Sequence, residues 1–369
     1  MKVEIIMIKR ALGISLVVSA QLLLSACGGG SAMFRENASH SGVSQMEGPL
    51  KLDRLAWKFS APDKIYASPV VSGDTIYIGC KDGNLYALDL EKGHVKWKFK
   101  TEGNIEAAVA VHGDTVYVGS WDNYLYAIDA DTHQMKWKFR TEGIVYSAPT
   151  VDAGMVYFGS KDNHLYAVDA ETGHEIWKFN TKQSVYTSPA IAGDKVYVGS
   201  LGGEFYAVNR KTGQEQWRFP SRSPIYSSAS LSGTSVFFGS DNKYMYAVNT
   251  KTGQQIWKKK TAGKIFSSPA VYKRAVYFGS ADTYVYAYDK KTGARHWEYK
   301  TNGAVYSSPV ITAESIYVTS TDGNLYALNN ENGALRWKYK VDDKLYSSPV
   351  IADGKVIFSS LGGEVFAVR

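Results

Sequence analysis

Seven histidines, two cysteines and a series of turn aspartates are the groups in this 369-residue chain that could act as catalysts or metal ligands. The histidines stand at positions 40, 94, 112, 133, 164, 174 and 296. None of their separations brings imidazoles onto one zinc ion, and there is no G-x-S-x-G elbow, phosphate-binding loop or H-E-x-x-H pair. They read as scattered surface residues. Asp82, Asp122, Asp162, Asp282 and Asp322 could be mistaken for metal ligands, but each falls in a tight hairpin turn, which favours Asp for its own geometry. No metal site is expected. The composition, 44% hydrophobic and 13% aromatic with 34 Gly, excludes disorder, collagen and a disulfide framework.

Cys27 has a different setting from Cys80. Lys2, Lys9 and Arg10 precede an uncharged Leu- and Val-rich stretch from Ala11 to Ala26 that is too short for a comfortable membrane span, so residues 1–26 read as an export signal. The ending Leu24-Ser25-Ala26-Cys27 resembles a bacterial lipobox, which implies lipidation at Cys27 and a Gly-rich tether behind it. Gly28 is not the Asp that typically retains lipoproteins at the inner membrane of enteric bacteria. The expectation is an exported lipoprotein in the outer membrane, facing the periplasm. With Cys27 acylated, Cys80 has no partner and no structural disulfide is expected.

The elements that must position everything else repeat every 40 residues. Trp57, Trp97, Trp137, Trp177, Trp217, Trp257, Trp297 and Trp337 form an unbroken series, and only Trp121 stands outside it. Around each Trp recur short runs of β-branched and aromatic residues, as in K-I-Y-A-S-P-V-V, T-I-Y-I-G-C, N-L-Y-A-L-D and V-K-W-K-F-K, separated by turn pairs such as Gly73-Asp74 and Lys92-Gly93. Four strands per 40 residues is the signature of a propeller blade. Seven modules begin at Lys64, Asn104, Val145, Ser184, Pro224, Lys264 and Ala304. Three more strands end the chain and an orphan fourth, carrying Trp57, precedes the first module. The prediction is an all-β, eight-bladed β-propeller over residues 52–369, one blade closed by strands from both termini. Residues 27–51 are left as lipidated Cys, tether and lead-in.

The run Tyr166 to Trp177, Y-A-V-D-A-E-T-G-H-E-I-W, resembles the tryptophan-docking motif of the quinoprotein, or PQQ-like, β-propeller family, and related forms recur over essentially the whole mature chain. That resemblance implies that each Trp docks between neighbouring blades and that Asp89, Asp169, Asn209, Asn249, Asp289 and Asn329 cap turns. Met33 to Asn37 with His40-Ser41-Gly42 resembles the lead-in of such repeats. The second module departs from the pattern, with His133 where others have Gly. Enzymes of the family hold PQQ and Ca²⁺ in the propeller funnel, against adjacent cysteines and acidic ligands. Here Cys27 and Cys80 are far apart and no insertion breaks the 40-residue rhythm, so no cofactor and no enzymatic activity are expected. The combination of lipobox, single propeller and no catalytic insertion is most similar to the propeller lipoproteins of outer-membrane β-barrel assembly. That implies a protein-interaction scaffold, a monomer within a complex of envelope proteins, tied to the membrane by its lipid and binding no nucleic acid. The alternatives are a PQQ-dependent dehydrogenase-like quinoprotein and a sugar- or peptide-binding propeller.

Two surfaces are candidates for a partner. Tyr66, Tyr146, Tyr186, Tyr226, Phe266, Tyr306 and Tyr346 open the first strand of their blades, nearest the axis, with Glu106 at the eighth position. They form either a binding mouth or a packing ring. Residues 210–300 hold 16 Lys or Arg against 5 Asp or Glu, including Lys258, Lys259, Lys260, Lys264, Lys273 and Arg274. These form either a solvated face or a basic patch for an anionic partner or lipid headgroups.

Overall fold

Runs of β-branched and aromatic residues between two-residue turns build short antiparallel strands. In the computed structural model, which describes residues 31–369, these assemble into eight sheets around an axis. Cys27 and the export signal lie outside the described residues. In the first full blade, Val70–Ser72, Thr75–Gly79, Asn84–Asp89 and Val95–Lys100 run in order from the axis outward. The second strand is buried throughout, whereas the outermost alternates and exposes one side. The last blade combines Val350–Ala352, Lys355–Ser359 and Glu364–Val368 with Leu55–Ser60. Trp57 faces Ala367 across this junction as Trp97 faces Ala87 within one chain segment. Eight blades and the composite closure are therefore present as the repeat spacing implies.

Successive antiparallel strands put the connections on two faces. On one, the Gly73-Asp74 turn bonds to the third-to-fourth-strand turn through Leu90 N–H to Asp74 C=O, 2.9 Å. On the other, the blade-to-blade connector bonds to the second-to-third-strand hairpin, Lys81 N–H to Lys64 C=O at 3.0 Å. The first strands start from this second face, here called the mouth face.

Neighbouring blades are clamped by the Trp series. The indole N–H donates to a carbonyl 33 residues on in the next blade, from Trp57 to Leu90, 3.0 Å, through Trp297 to Asn330, 3.2 Å. At five junctions a Tyr hydroxyl donates to the same carbonyl, as Tyr117 and Trp137 both do to Ala170. At the interrupted blade the acceptor is the Pro49 carbonyl, 2.8 Å from Trp337 Nε1. The indole lies flat on a glycine of that next blade: a Cβ on Gly93, which holds φ +72°, would come within 2.3 Å of the Trp57 ring. His133 occupies the corresponding position at φ +61°. Its side chain takes the place of that flat contact, and Trp97 stacks on the imidazole instead, centroids 4.8 Å apart, making no indole–carbonyl bond.

The lead-in is where the structure departs most from expectation. Ser31–Met33 pairs with Ala110–His112, the innermost strand of the second blade, and so lies on the axis itself. After a turn at Arg35 and Glu36, both at positive φ, the chain runs back through the channel. There the carbonyls of Ala38, Ser39, Ser41 and Gly42 accept from the amides of Ile191, Leu231, Val271 and Ile311, one in each of blades four to seven, at 2.7–3.0 Å. Arg35 donates to the Pro269 and Pro309 carbonyls, 2.5 Å each, and His40 is fully buried with Nε2 3.3 Å from Thr150 Oγ1. From Ser31 onward the segment read as tether and lead-in is therefore a hairpin plugging the propeller, and a boundary at residue 52 does not separate it from the blades. Burial sets the protonation of this hairpin: it lowers Arg35 to about 9, raises Glu36 to about 7 and, together with the Arg35 charge, lowers His40 to about 3.

Two predictions follow from these contacts. Trp57→Ala removes a buried indole and its hydrogen bond at the ring closure, and is expected to cost about 3–5 kcal/mol; Trp97→Ala, which breaks no such bond, should cost less. His133→Gly relieves a positive φ and frees Trp97 to dock, with an expected gain of about 1 kcal/mol. Urea midpoints should rank in that order, and a His133→Gly midpoint below the parent would contradict the clamp. The second prediction concerns pH. From 6.5 down to 4.5, the unfolded chain takes up a proton on His40 that the folded chain refuses, while Glu36 works in the opposite direction. Below about 4.5, of these two groups only the His40 imbalance remains, and it alone lowers stability toward pH 3 by up to about 1.4 kcal/mol per pH unit. His40→Gln should flatten the dependence of the urea midpoint in that window.

Candidate binding mouth

The first strands place their leading residues side by side because each blade repeats the same register. Six ring contacts link seven aromatics in sequence: Tyr146–Tyr186 at 4.7 Å, Tyr186–Tyr226 at 6.0 Å, Tyr226–Phe266 and Phe266–Tyr306 at 5.3 Å, Tyr306–Tyr346 at 5.5 Å and Tyr346–Tyr66 at 6.2 Å. Offset and edge-on pairs at these distances are the favoured aromatic geometries. All seven keep part of their surface in solvent. The rings thus pack side by side around one end of the channel, each with an exposed part.

Glu106 fills the gap between Tyr66 and Tyr146. Its carboxylate lies 4.0 Å from Lys81 Nζ, which also sits 5.9 Å above the Tyr66 ring. Burial raises the Glu106 carboxyl above its ordinary range, with Lys81 opposing. Burial, followed by the Glu106 charge, pushes the Tyr146 phenol up to about 12. The mouth therefore combines a ring of aromatic side chains with one carboxyl group held off-centre. Sequence reading identified Glu106 but missed Lys81, which is contributed by a hairpin of the preceding blade.

Below the rings, a belt of serines ties the blades together. The backbone amides of Ala148, Ser188, Ser228, Ser268, Ser308 and Ser348 donate to Ser188, Ser228, Ser268, Ser308, Ser348 and Ser68 Oγ at 2.8–3.1 Å. The belt breaks at Ala107-Ala108, and the plug strand docks on that same blade. The tip of the plug, Phe34, floors the mouth beneath Tyr66, Tyr146 and their neighbours, leaving a bowl of about 170 Å³. Phe34 was legible only as part of a lead-in.

The remaining candidates have structural partners or are dispersed. Asp122 accepts from Tyr124 N–H at 3.1 Å, from the Tyr126 hydroxyl at 2.8 Å and from Glu102 N–H in the preceding connector at 3.0 Å. Asp82 likewise binds Asn84 N–H and the Tyr86 hydroxyl. No group of three or more His, Cys, Asp or Glu able to hold a metal occurs among the described residues. The six basic residues do not form one patch. Lys258, Lys259 and Lys260 lie on the outermost strand of blade five, Lys264 sits on the mouth face paired with Asp241 at 2.8 Å, and Lys273 and Arg274 form a turn on the opposite face. A contiguous stretch of sequence is split in this way because every module crosses between the faces four times.

Comparison with known proteins fits this architecture. The family model described as outer membrane protein assembly factor BamB matches residues 50–108 and 207–369, and one described as the β-propeller of beta-alanine-activating enzyme matches residues 89–275. No curated protein matches the chain. Among solved structures, BamB from Moraxella catarrhalis superimposes with TM-score 0.74 at 17% identity, covering 86% of this chain and 99% of that one. The quinohemoprotein alcohol dehydrogenase ADHIIG from Pseudomonas putida HK5 gives 0.81 at 17% identity, covering 91% and 79%. The computationally designed protein Ika8 gives 0.77 at 16% identity, covering 86% and 100%. At such identities the structural likeness carries the fold alone, whereas the BamB model spans more than half of the sequence. The chain belongs to the PQQ-like β-propeller family, and within it is BamB-like.

Proposed function

We propose that this protein is an exported lipoprotein, acylated at Cys27 and anchored in the outer membrane, that serves outer-membrane β-barrel assembly as a non-catalytic scaffold. Its aromatic mouth receives a partner protein on the periplasmic side. The observation that carries this reading is the plugged channel: Phe34 and the hairpin behind it turn a funnel into a shallow bowl.

A bowl of about 170 Å³ is smaller than the roughly 300–1,000 Å³ of sites that enclose a small molecule. The residues present do not fit PQQ with Ca²⁺. Glu106 is the sole carboxylate lining the bowl and faces Lys81, whereas a hard cation of that kind takes six to eight oxygen ligands. A rim of tyrosines does suit a protein partner, since Tyr is enriched among the residues that dominate binding energy at protein interfaces. Glu106 breaks the eightfold sameness of that rim and gives a partner one orientation to select. The match to the BamB family model supports the assembly role.

Co-purification of the β-barrel assembly complex from detergent-solubilised envelopes tests the scaffold. Tyr146→Ala with Tyr186→Ala should abolish it at any ionic strength, and Glu106→Gln should weaken it, while charge reversal at Lys259 and Lys260 should leave it unchanged. Binding that ignores the Tyr changes and vanishes in high salt would move the site away from the mouth. Dye-linked alcohol oxidation on adding PQQ and Ca²⁺ would replace the scaffold by a quinoprotein.

A further inference from the structure

The face opposite the mouth is where the described chain begins, because Ser31 pairs with His112 beside the Gly113-Asp114 turn. Its charges are unevenly neutralised. The turn acids Asp74, Asp114 and Glu314 are each held by a base on an outer strand, Lys96, Lys136 and Arg336. On blades four to six the turns of this face carry Lys211, Lys251 and Lys291 between third and fourth strands and Lys273 and Arg274 between a first and a second strand, all exposed. None of these five forms an ion pair; the acids of that sector are taken by others, Asp194 by Lys195 and Asp152 by Arg210. The other half of the face carries exposed Glu91, Asp131, Glu171 and Glu331. An arc of unneutralised cations thus lies along one side of the face from which the chain leads back toward Cys27.

Three glycines separate Cys27 from Ser31, a span of four Cα-to-Cα steps that covalent geometry limits to about 14 Å even when fully extended. That reach is close to the Debye length of about 10 Å at 0.1 M salt. A lipid on Cys27 would therefore hold this face, and not the mouth, within electrostatic range of the bilayer. We infer that the propeller rests on an anionic lipid surface through Lys211, Lys251, Lys273, Arg274 and Lys291, tilted toward blades four to six, with the aromatic mouth directed away from the membrane. The inference rests on the lipid-anchor reading of Cys27. It specifies which face the anchor presents and which headgroup chemistry that face meets, the latter separable from the anchor.

The headgroup contact is tested on the mature Cys27→Ala chain, which carries no lipid. It should sediment with phosphatidylcholine vesicles containing phosphatidylglycerol at about 0.1 M salt, and lose this at about 1 M. Reversing Lys211, Lys251 and Lys291 to Glu should weaken sedimentation at least tenfold, whereas reversing Lys64, Lys161 and Lys344 on the mouth face should not. Equal binding to pure phosphatidylcholine, equal loss from both triple variants, or capture of acidic proteins in place of vesicles would overturn the proposal. Orientation is read on the lipidated protein in the same vesicles, with a fluorophore on Thr212→Cys or Asn302→Cys. Cys80 is buried and burial pushes its thiol up to about 11, so it stays unlabelled. A spin-labelled lipid should quench the first probe and spare the second; the reverse would overturn the orientation. Release of this preparation by high salt would mean that Cys27 is not acylated, a failure of the anchor reading that leaves the headgroup test standing.

Discussion

The structure depends on one constraint, that a row of identical blades must end where it began. Each sheet is twisted, so eight of them arranged around an axis bring the last against the first, and a gap there would leave both edges unpaired. Pairing Leu55–Ser60 with Glu364–Val368 closes the ring with the same Trp–Ala register found inside continuous blades. The closure then dictates its surroundings. The third-to-fourth-strand turn is interrupted in the composite blade, and the Pro49 carbonyl, delivered by the chain on its way out of the channel, accepts the Trp337 and Tyr317 bonds that a turn carbonyl takes elsewhere.

Much of this was readable because the forces are local and periodic. The Trp spacing of 40 fixes blade number, and the residue types at the third and fourth strands fix which faces are buried. The aromatic mouth was legible for the same reason, since one register repeated around a ring must bring equivalent residues together. The plug was not legible. Its partners lie far away in sequence, with Arg35 bonded to Pro269 and Pro309, and a short Gly- and Ser-containing segment with no periodicity reads as spacer unless those partners are known. The basic stretch failed differently: it is continuous in sequence, but strand reversal sends its members to opposite faces. Only those on turns of one face, joined there by Lys211 and Lys251 from the two preceding modules and by Lys291 from their own, lie together.

Four departures from the repeat lie in the second module, and they have separate physical consequences. His133 takes a glycine position and alters the docking of Trp97 at the outer edge. Ala107 and Ala108 interrupt the serine belt, and Glu106 replaces an aromatic at the mouth. Val109 stands where most blades have Pro in the first strand, and the residue after it, Ala110, is the partner of Met33. A repeat protein needs one blade unlike the others if an asymmetric segment is to choose a single seat; here that blade also holds Glu106, the one carboxyl group lining the bowl among the described residues.

The plug fills a channel that the eight sheets alone would leave open. In a bare propeller the innermost strands present unpaired amides and carbonyls to the channel, and those groups require either water, a ligand or more chain. Here the lead-in supplies the partners in blades two and four to seven. Burying Arg35 without a strong acid against it is costly, consistent with its lowered proton affinity, and two proline carbonyls at the starts of first strands accept its hydrogen bonds. The recurring Pro of the innermost strand, which in the sequence only marks a strand start, thus becomes part of the socket for the plug. What the channel loses as a cavity, the mouth gains as a floor: Phe34 closes the bowl from below, and the surface left at this end of the channel is the aromatic rim itself.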